Sequence, residues 1–412
     1  MKRVLVACYG GAHVAAAIPL FHELKASGLE PVMLGLTTAA ETLRQQGIPV
    51  IRFLDHVDIE DPEIFRWGAF VSDFHHREGI GISAQESTAY LGASMAELVE
   101  DSGEQAALQR YRDAGLNAFV PVRTLRRILE AERIDAVIAT DSPRAERAAL
   151  NAAVELGLPS VCVLTSFPHI GLHYLQRADN GAVMCVLNER IRSQLIAAGR
   201  APESVVVTGN PAFDALIAPD AAQRREWLRE RDGLARGDWA VLWAEQPEPE
   251  DPALPVRMRE TLAQVCAARG WRLIVRLHPS SQAGASVSLP HGVLVSPRTE
   301  SVRDALLKCD AVVTFTSTIG FEALVLDKPV VVAAISQYSR FVDYREADGV
   351  HVVDSMTAVE SALLGFFQGD EQARKLAANR RSMPRAGRAA RAVVECLMSR
   401  RQSASSASMG SA

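Results

Sequence analysis

Short apolar runs alternate with amphipathic stretches of helical period from one end of the chain to the other. Residues 4–7, 30–36, 50–53, 135–140 and 159–164 are near-continuous runs of Val, Ile, Leu and Ala, and they predict strands. Residues 14–26, 39–46 and 146–156 carry the 3.6-residue period between them and predict helices. Strands that are apolar at every position are buried on both faces, and a helix after each strand supplies the crossover that a parallel sheet needs. The alternation restarts after about residue 235, with strands over 239–244, 271–278, 292–296, 329–334 and 351–354 and another opening at Asp310. Helices over 255–269 and 301–309 separate them. The pattern predicts the α/β class: two doubly wound Rossmann-like domains facing each other across a cleft.

Length agrees, since 412 residues is more than twice a usual single domain. The expected boundaries are 1–220 for a first domain and 235–400 for a second, joined by the polar segment 220–237. A low-complexity tail over 401–412 is expected to be disordered. Residues 55–117 break the rhythm with aromatics, glycines and a helix over 83–98, and read as an insertion that shapes a substrate pocket. A net charge of -5 argues against a general nucleic-acid binder, and Arg123, Arg126 and Arg127 read as a solvated helix face. The six cysteines show no Cys-x-x-Cys pair and mostly lie in apolar runs, as buried thiols of a reducing compartment do. No apolar run reaches the roughly 18–20 residues that span a bilayer.

Candidate chemistry falls at strand ends, where doubly wound sheets bind ligands. The segment Asp310-Ala-Val-Val-Thr-Phe-Thr-Ser-Thr-Ile-Gly-Phe-Glu322 reads as strand, hydroxyl-rich turn and helix start. Thr316, Ser317 and Thr318 meet the free N–H groups and positive dipole of that start, which favours phosphate. Glu322 follows one turn later and suits a ribose diol. Tyr9-Gly-Gly-Ala-His13 follows the first strand with the wrong glycine spacing for a dinucleotide fingerprint and no Walker lysine. His13 lands at the helix start, where a neutral imidazole can take a proton from a hydroxyl. Asp141 ends another strand, either orienting His13, acting as base itself or capping a turn, and Arg144 with Arg147 one turn on suits an anionic group. Val205 to Asn210 is a short strand running into Thr-Gly-Asn-Pro turn chemistry. Arg276 and His278 alternate on one strand face and suit charge developing on a leaving phosphate. Gln246 ends the first strand of the second half and suits phosphate or base. The carboxylates Glu245, Glu248, Glu250 and Asp251 read as a solvated acidic loop, not a metal site. Asp73, His75, His76 and Glu78 likewise lack ligand spacing.

On these motifs the chain resembles the GT-B superfamily of nucleotide-sugar glycosyltransferases and the related hydrolysing and non-hydrolysing UDP-N-acetylglucosamine 2-epimerases. The resemblance is carried by Val207-Thr-Gly-Asn-Pro-Ala-Phe-Asp214 and Ser317-Thr-Ile-Gly-Phe-Glu322-Ala-Leu-Val-Leu-Asp-Lys-Pro-Val. Gly10-Gly11-Ala-His13 is similar to the first-strand loop of inverting transferases whose histidine is the base, and Asp141 to the aspartate that partners it. His278-Pro279 before hydroxyl residues is similar to wall-polymer transferases that use CMP- or CDP-linked donors. Where the epimerases carry a His-Val-Glu-Ala-Gly stretch, this chain has Leu164-Thr-Ser-Phe-Pro-His169, without a glutamate. The resemblance therefore implies an inverting glycosyltransferase ahead of a 2-epimerase, with a non-catalytic nucleotide-sugar-binding protein as a third reading. It implies a nucleotide-sugar donor, UDP-linked ahead of CMP- or CDP-linked, and a sugar, glycan or small-molecule acceptor. His13 and Asp141 would be catalytic. Gly11, Asn210, Gln246, Arg276, His278, Thr316, Ser317, Thr318 and Glu322 would hold the donor, and Arg144 the acceptor. No cofactor or metal is expected, because protein cations and a helix dipole stabilise the charge. The expected setting is bacterial polysaccharide biosynthesis in the cytoplasm. Homo-oligomer formation and a peripheral contact with the inner membrane are left open.

Overall fold

A computed structural model describes residues 2–76, 82–165, 168, 171–217, 219–278, 292–297, 299–340, 344, 349–369 and 387–409. The chain divides into two units, Met1–Asp214 with Arg388–Ala412, and Ala215–Gly387.

The first unit holds seven strands: β1 (Arg3–Cys8), β2 (Glu30–Gly35), β3 (Val50–Ile51), β4 (Ala136–Thr140), β5 (Ser160–Val163), β6 (Val183–Val186) and β7 (Val205–Val207). They pair in parallel in the order β3-β2-β1-β4-β5-β6-β7. Val4, Leu5 and Val6 on β1 and Val137 and Ile138 on β4 are at most 1% exposed, which explains why these strands carry no polar alternation. The strand order reverses between β1 and β4, so the loops after them are neighbours that diverge to opposite faces. That is where a doubly wound sheet opens a crevice.

The second unit repeats the scheme with β8 (Ala240–Ala244), β9 (Arg272–Arg276), β10 (Leu294–Val295), β11 (Ala311–Thr314), β12 (Val330–Ala333) and β13 (Val350–Val353). Its parallel order is β10-β9-β8-β11-β12-β13, with the reversal between β8 and β11. Trp243 and Phe315 meet edge to face in its core at 4.9 Å.

Two features depart from the sequence-based boundaries. The last helix, Ala389–Met409, belongs to the first unit, not the second. Ala390, Val393, Val394 and Leu397 join the apolar cluster under β1, β4 and β5. Asp214 caps this helix, accepting from Ala389 N at 3.0 Å and Ala390 N at 2.9 Å. The helix also continues through much of the segment expected to be a disordered tail, and residues 410–412 lie outside the described residues.

The insertion is helical: Pro62–His75, Ala84–Ser102 and Glu104–Ala114. Ser83 caps the second of these through Glu86 N, and Glu86 in turn accepts from Phe53 N and Leu54 N, tying the insertion to the turn after β3. Among the described residues no helix is long and apolar enough to cross a membrane.

Candidate functional site

The loop after β1 requires its glycines. A Cβ on Gly10 would lie 1.9 Å from Thr38 Oγ1, and Gly11 adopts φ 68°, the left-handed region that L side chains avoid. The chain turns there and delivers His13 to the first turn of helix Ala12–Ala26. A cavity of about 420 Å³ opens beside it, lined by Tyr9, Gly10, His13, Thr37, Asp141 and Arg144 among others.

His13 Nδ1 lies 2.8 Å from Thr140 Oγ1, and the Thr140 hydroxyl donates to Glu146 Oε1. Because Thr140 spends its proton on the carboxylate, its oxygen is the acceptor for His13, which places the imidazole proton on Nδ1 and leaves Nε2 as the basic nitrogen. Glu146 Oε1 is 3.5 Å from Nδ1 and also accepts from Tyr9 N at 3.0 Å. Glu146 is fully buried, and burial holds its carboxyl above the usual range, with the charge of His13 and the bond from Thr140 offsetting only part of that.

Asp141 Oδ1 is 3.8 Å from His13 Nδ1, and it accepts hydrogen bonds from Thr165, N at 2.9 Å and Oγ1 at 2.6 Å. The hydrogen-bonded support of His13 thus runs through Thr140 to Glu146, neither of which sequence reasoning assigned. Arg144 lies over the Tyr9 ring, 4.4 Å from its centroid, and the Tyr9 and Tyr90 hydroxyls bond each other. The insertion thereby backs the cavity wall. Arg147 does not line the cavity itself but lies 5.6 Å over the ring of Tyr174, which does. Asn210 is buried, and its Oδ1 accepts from Ala212 N at 3.0 Å, which closes its own turn.

In the second unit the equivalent strand ends meet. Gln246, after β8, accepts from Thr316 N at 2.9 Å and donates to Thr316 Oγ1 at 2.5 Å. These two residues satisfy each other and hold the turn after β11. Ser317 and Thr318 stand at the start of helix Ile319–Val325, where Ser317 Oγ accepts from Ile319 N at 3.4 Å, and Tyr344 anchors the turn by donating to Ser317 O at 2.5 Å.

Arg276 ends β9 with Nη1 2.8 Å from Ser296 Oγ and Nη2 3.0 Å from Glu300 O. Burial lowers its pKa, and Glu300 and Glu322 offset part of that. Glu300 accepts from Ser296 at 2.7 Å and pairs with Lys308 at 2.9 Å and Arg231 at 2.8 Å. Burial works to raise its carboxyl, but these partners outweigh it and hold it below the usual range. Burial pushes Glu322 up to about 7, with Arg276 pulling the other way. His278 is half-buried, and burial lowers its pKa. Pro279 and the serines after it lie outside the described residues.

The acidic run after β8 is only in part the solvated loop that its composition predicts: Glu250 is exposed, but Glu245 and Glu248 are engaged. Glu248 is 3% exposed and accepts from Ser336, and Glu245 accepts from Trp243 Nε1 and pairs with Arg259. Among the described residues no three His, Cys, Asp or Glu side chains are grouped to hold a metal ion.

Comparisons with known proteins bear on the fold and the family. The solved structure of UDP-GlcNAc 2-epimerase from Neisseria meningitidis bound to UDP-GlcNAc superposes with a TM-score of 0.60 at 15% identity, over 97% of this chain and 100% of that one. MurG of Acinetobacter baumannii gives 0.57 at 15%, over 97% and 100%. The glycosyltransferase SnogD from Streptomyces nogalater gives 0.54 at 15%, over 96% and 100%. The two Rossmann-like units are therefore those of the GT-B fold. No curated protein matches in sequence. A sequence profile described as UDP-N-acetylglucosamine 2-epimerase matches residues 179–398, just over half of the chain. By that match, the chain belongs to the UDP-N-acetylglucosamine 2-epimerase family.

Proposed function

We propose that the protein is a glycosyltransferase that moves a sugar from a UDP-linked donor to an acceptor hydroxyl with inversion. The observation that carries this reading is the relay from His13 through Thr140 to Glu146, which leaves a basic Nε2 at a cavity wall. In the proposed step Nε2 removes the acceptor hydroxyl proton as the oxygen attacks the anomeric carbon. The bond from that carbon to the diphosphate breaks, and UDP leaves with the electron pair. Glu146, 3.5 Å from Nδ1, stabilises the imidazolium that forms. In the second unit the reading assigns Arg276 and the turn at Ser317 and Thr318 to the departing phosphate, and Glu322 to the ribose hydroxyls. Gln246 and Thr316 hold that turn in shape. UDP is preferred over a cytidine nucleotide because structural neighbours were solved with UDP or UDP-GlcNAc.

The test is UDP release from a panel of UDP-sugars with acceptors. His13→Ala is expected to lower turnover about 10²–10⁴-fold while UDP still raises the melting temperature. A variant with full turnover removes His13 as base.

The family profile favours a second reading, epimerisation at the sugar C2. Asp141 and Glu146, within 3.8 and 3.5 Å of His13, would then be the acid and base candidates. It predicts an epimerised sugar without any acceptor.

A further inference from the structure

A second cavity, of about 500 Å³, opens on the other side of Thr37 in the first unit. Thr37 lines both this space and the His13 cavity, so the two share a wall. The wall is built deliberately. Gly10 admits the close approach of Thr38, and Thr37 adopts φ 53°, a region that β-branched residues rarely enter.

The lining of the second cavity is polar: Thr37, Arg44, Arg52, Asp55, Ser83 and Glu86 contribute to it. Its charges are already matched. Arg52 pairs with Asp55, Nη2 to Oδ1 at 2.6 Å, and Arg44 pairs with Glu41 at 3.1 Å. Glu86 adds a further carboxyl, bonded to Phe53 N and Leu54 N. No positive charge is left over to attract a phosphate or carboxylate, and the apolar side chains present, Ala40, Val50 and Ile82, are too few for a lipid or an aromatic aglycone. Hydroxyls beside matched guanidinium and carboxylate groups provide donors and acceptors in close alternation. That suits a neutral ligand covered in hydroxyl groups.

Resting on the transferase reading, we infer that this cavity is a second sugar subsite. The acceptor is then a neutral glycan of at least two residues. Its reacting hydroxyl lies at His13, and the neighbouring sugar passes Thr37 to bond Arg52, Asp55 and Ser83.

The experiment displays mono-, di- and oligosaccharides on one array and measures capture of the labelled full-length protein in the presence of UDP. Neutral glycans of two or more residues are expected to be retained at least tenfold over single sugars. Arg44→Trp, which fills the cavity from an exposed helix turn, and Arg52→Ala are each expected to abolish that preference. UDP protection against heating is measured for both variants to show that they are folded. Equal capture of single sugars, capture unchanged in both folded variants, or capture of no glycan overturns the inference. A protein that UDP does not protect loses the transferase reading instead, whereas one that transfers readily to single sugars loses only the subsite.

Discussion

The chemistry assigned to the first unit turns on which nitrogen of His13 is committed. Nδ1 is tied to Thr140, so Thr140→Val removes the acceptor that fixes the tautomer, and Glu146→Gln removes the charge behind it. Each is expected to lower turnover tenfold or more with little change in KM, read from steady-state kinetics. Asp141→Asn is expected to weaken stability more than the base, because Asp141 bonds Thr165. Glu322 supplies a pH signature. Its folded pKa is raised to about 7, so the protonated form is the favoured one. Its contribution is present below the unfolded value of 4.5 and is lost as pH rises through about 7. The cost of ionising it is at most about 3 kcal/mol. Melting temperature is expected to fall as pH rises from about 4.5 to about 7 and to level off above that, and Glu322→Gln to flatten that slope; equal slopes would contradict the assignment. His13 and Arg276 were legible in the sequence because each follows or ends a visible strand. Glu146 was not, because its burial depends on the backbone of Tyr9, 137 residues away in sequence.

At the scale of elements, the last helix is held by Asp214 at its start and by Ala390, Val393, Val394 and Leu397 along its length. Asp214→Ala removes two cap bonds and is expected to cost about 1 kcal/mol. Leu397→Ala opens a core cavity and is expected to cost about 2–5 kcal/mol. Denaturant titration reads both, and an unchanged midpoint for Leu397→Ala would contradict the packing described. The long apolar strands were legible, since burial on both faces leaves a run that no helix of this length carries. Strand Val183–Val186 is a run of four that passes without flanking signal, and it was missed. The home of the last helix was illegible for a different reason: an amphipathic face states that it is buried, not against which sheet.

At the scale of the molecule, the same strand order recurs in both units, and in both the loops at the reversal meet: His13 with Thr140, and Gln246 with Thr316. Two repeats of one scheme were legible from the alternation of apolar runs alone. UDP binding to the folded state alone would raise stability by about 2.7 kcal/mol at one hundred times Kd, seen as a higher melting temperature; no shift at saturating UDP would remove the nucleotide from the account. The most direct test is product analysis by mass spectrometry after the full-length protein meets UDP-sugars with and without a glycan panel. The account predicts an acceptor heavier by one sugar, with UDP release that depends on that acceptor and collapses in His13→Ala. An epimerised sugar formed without any acceptor, at a rate His13→Ala leaves unchanged, would contradict it.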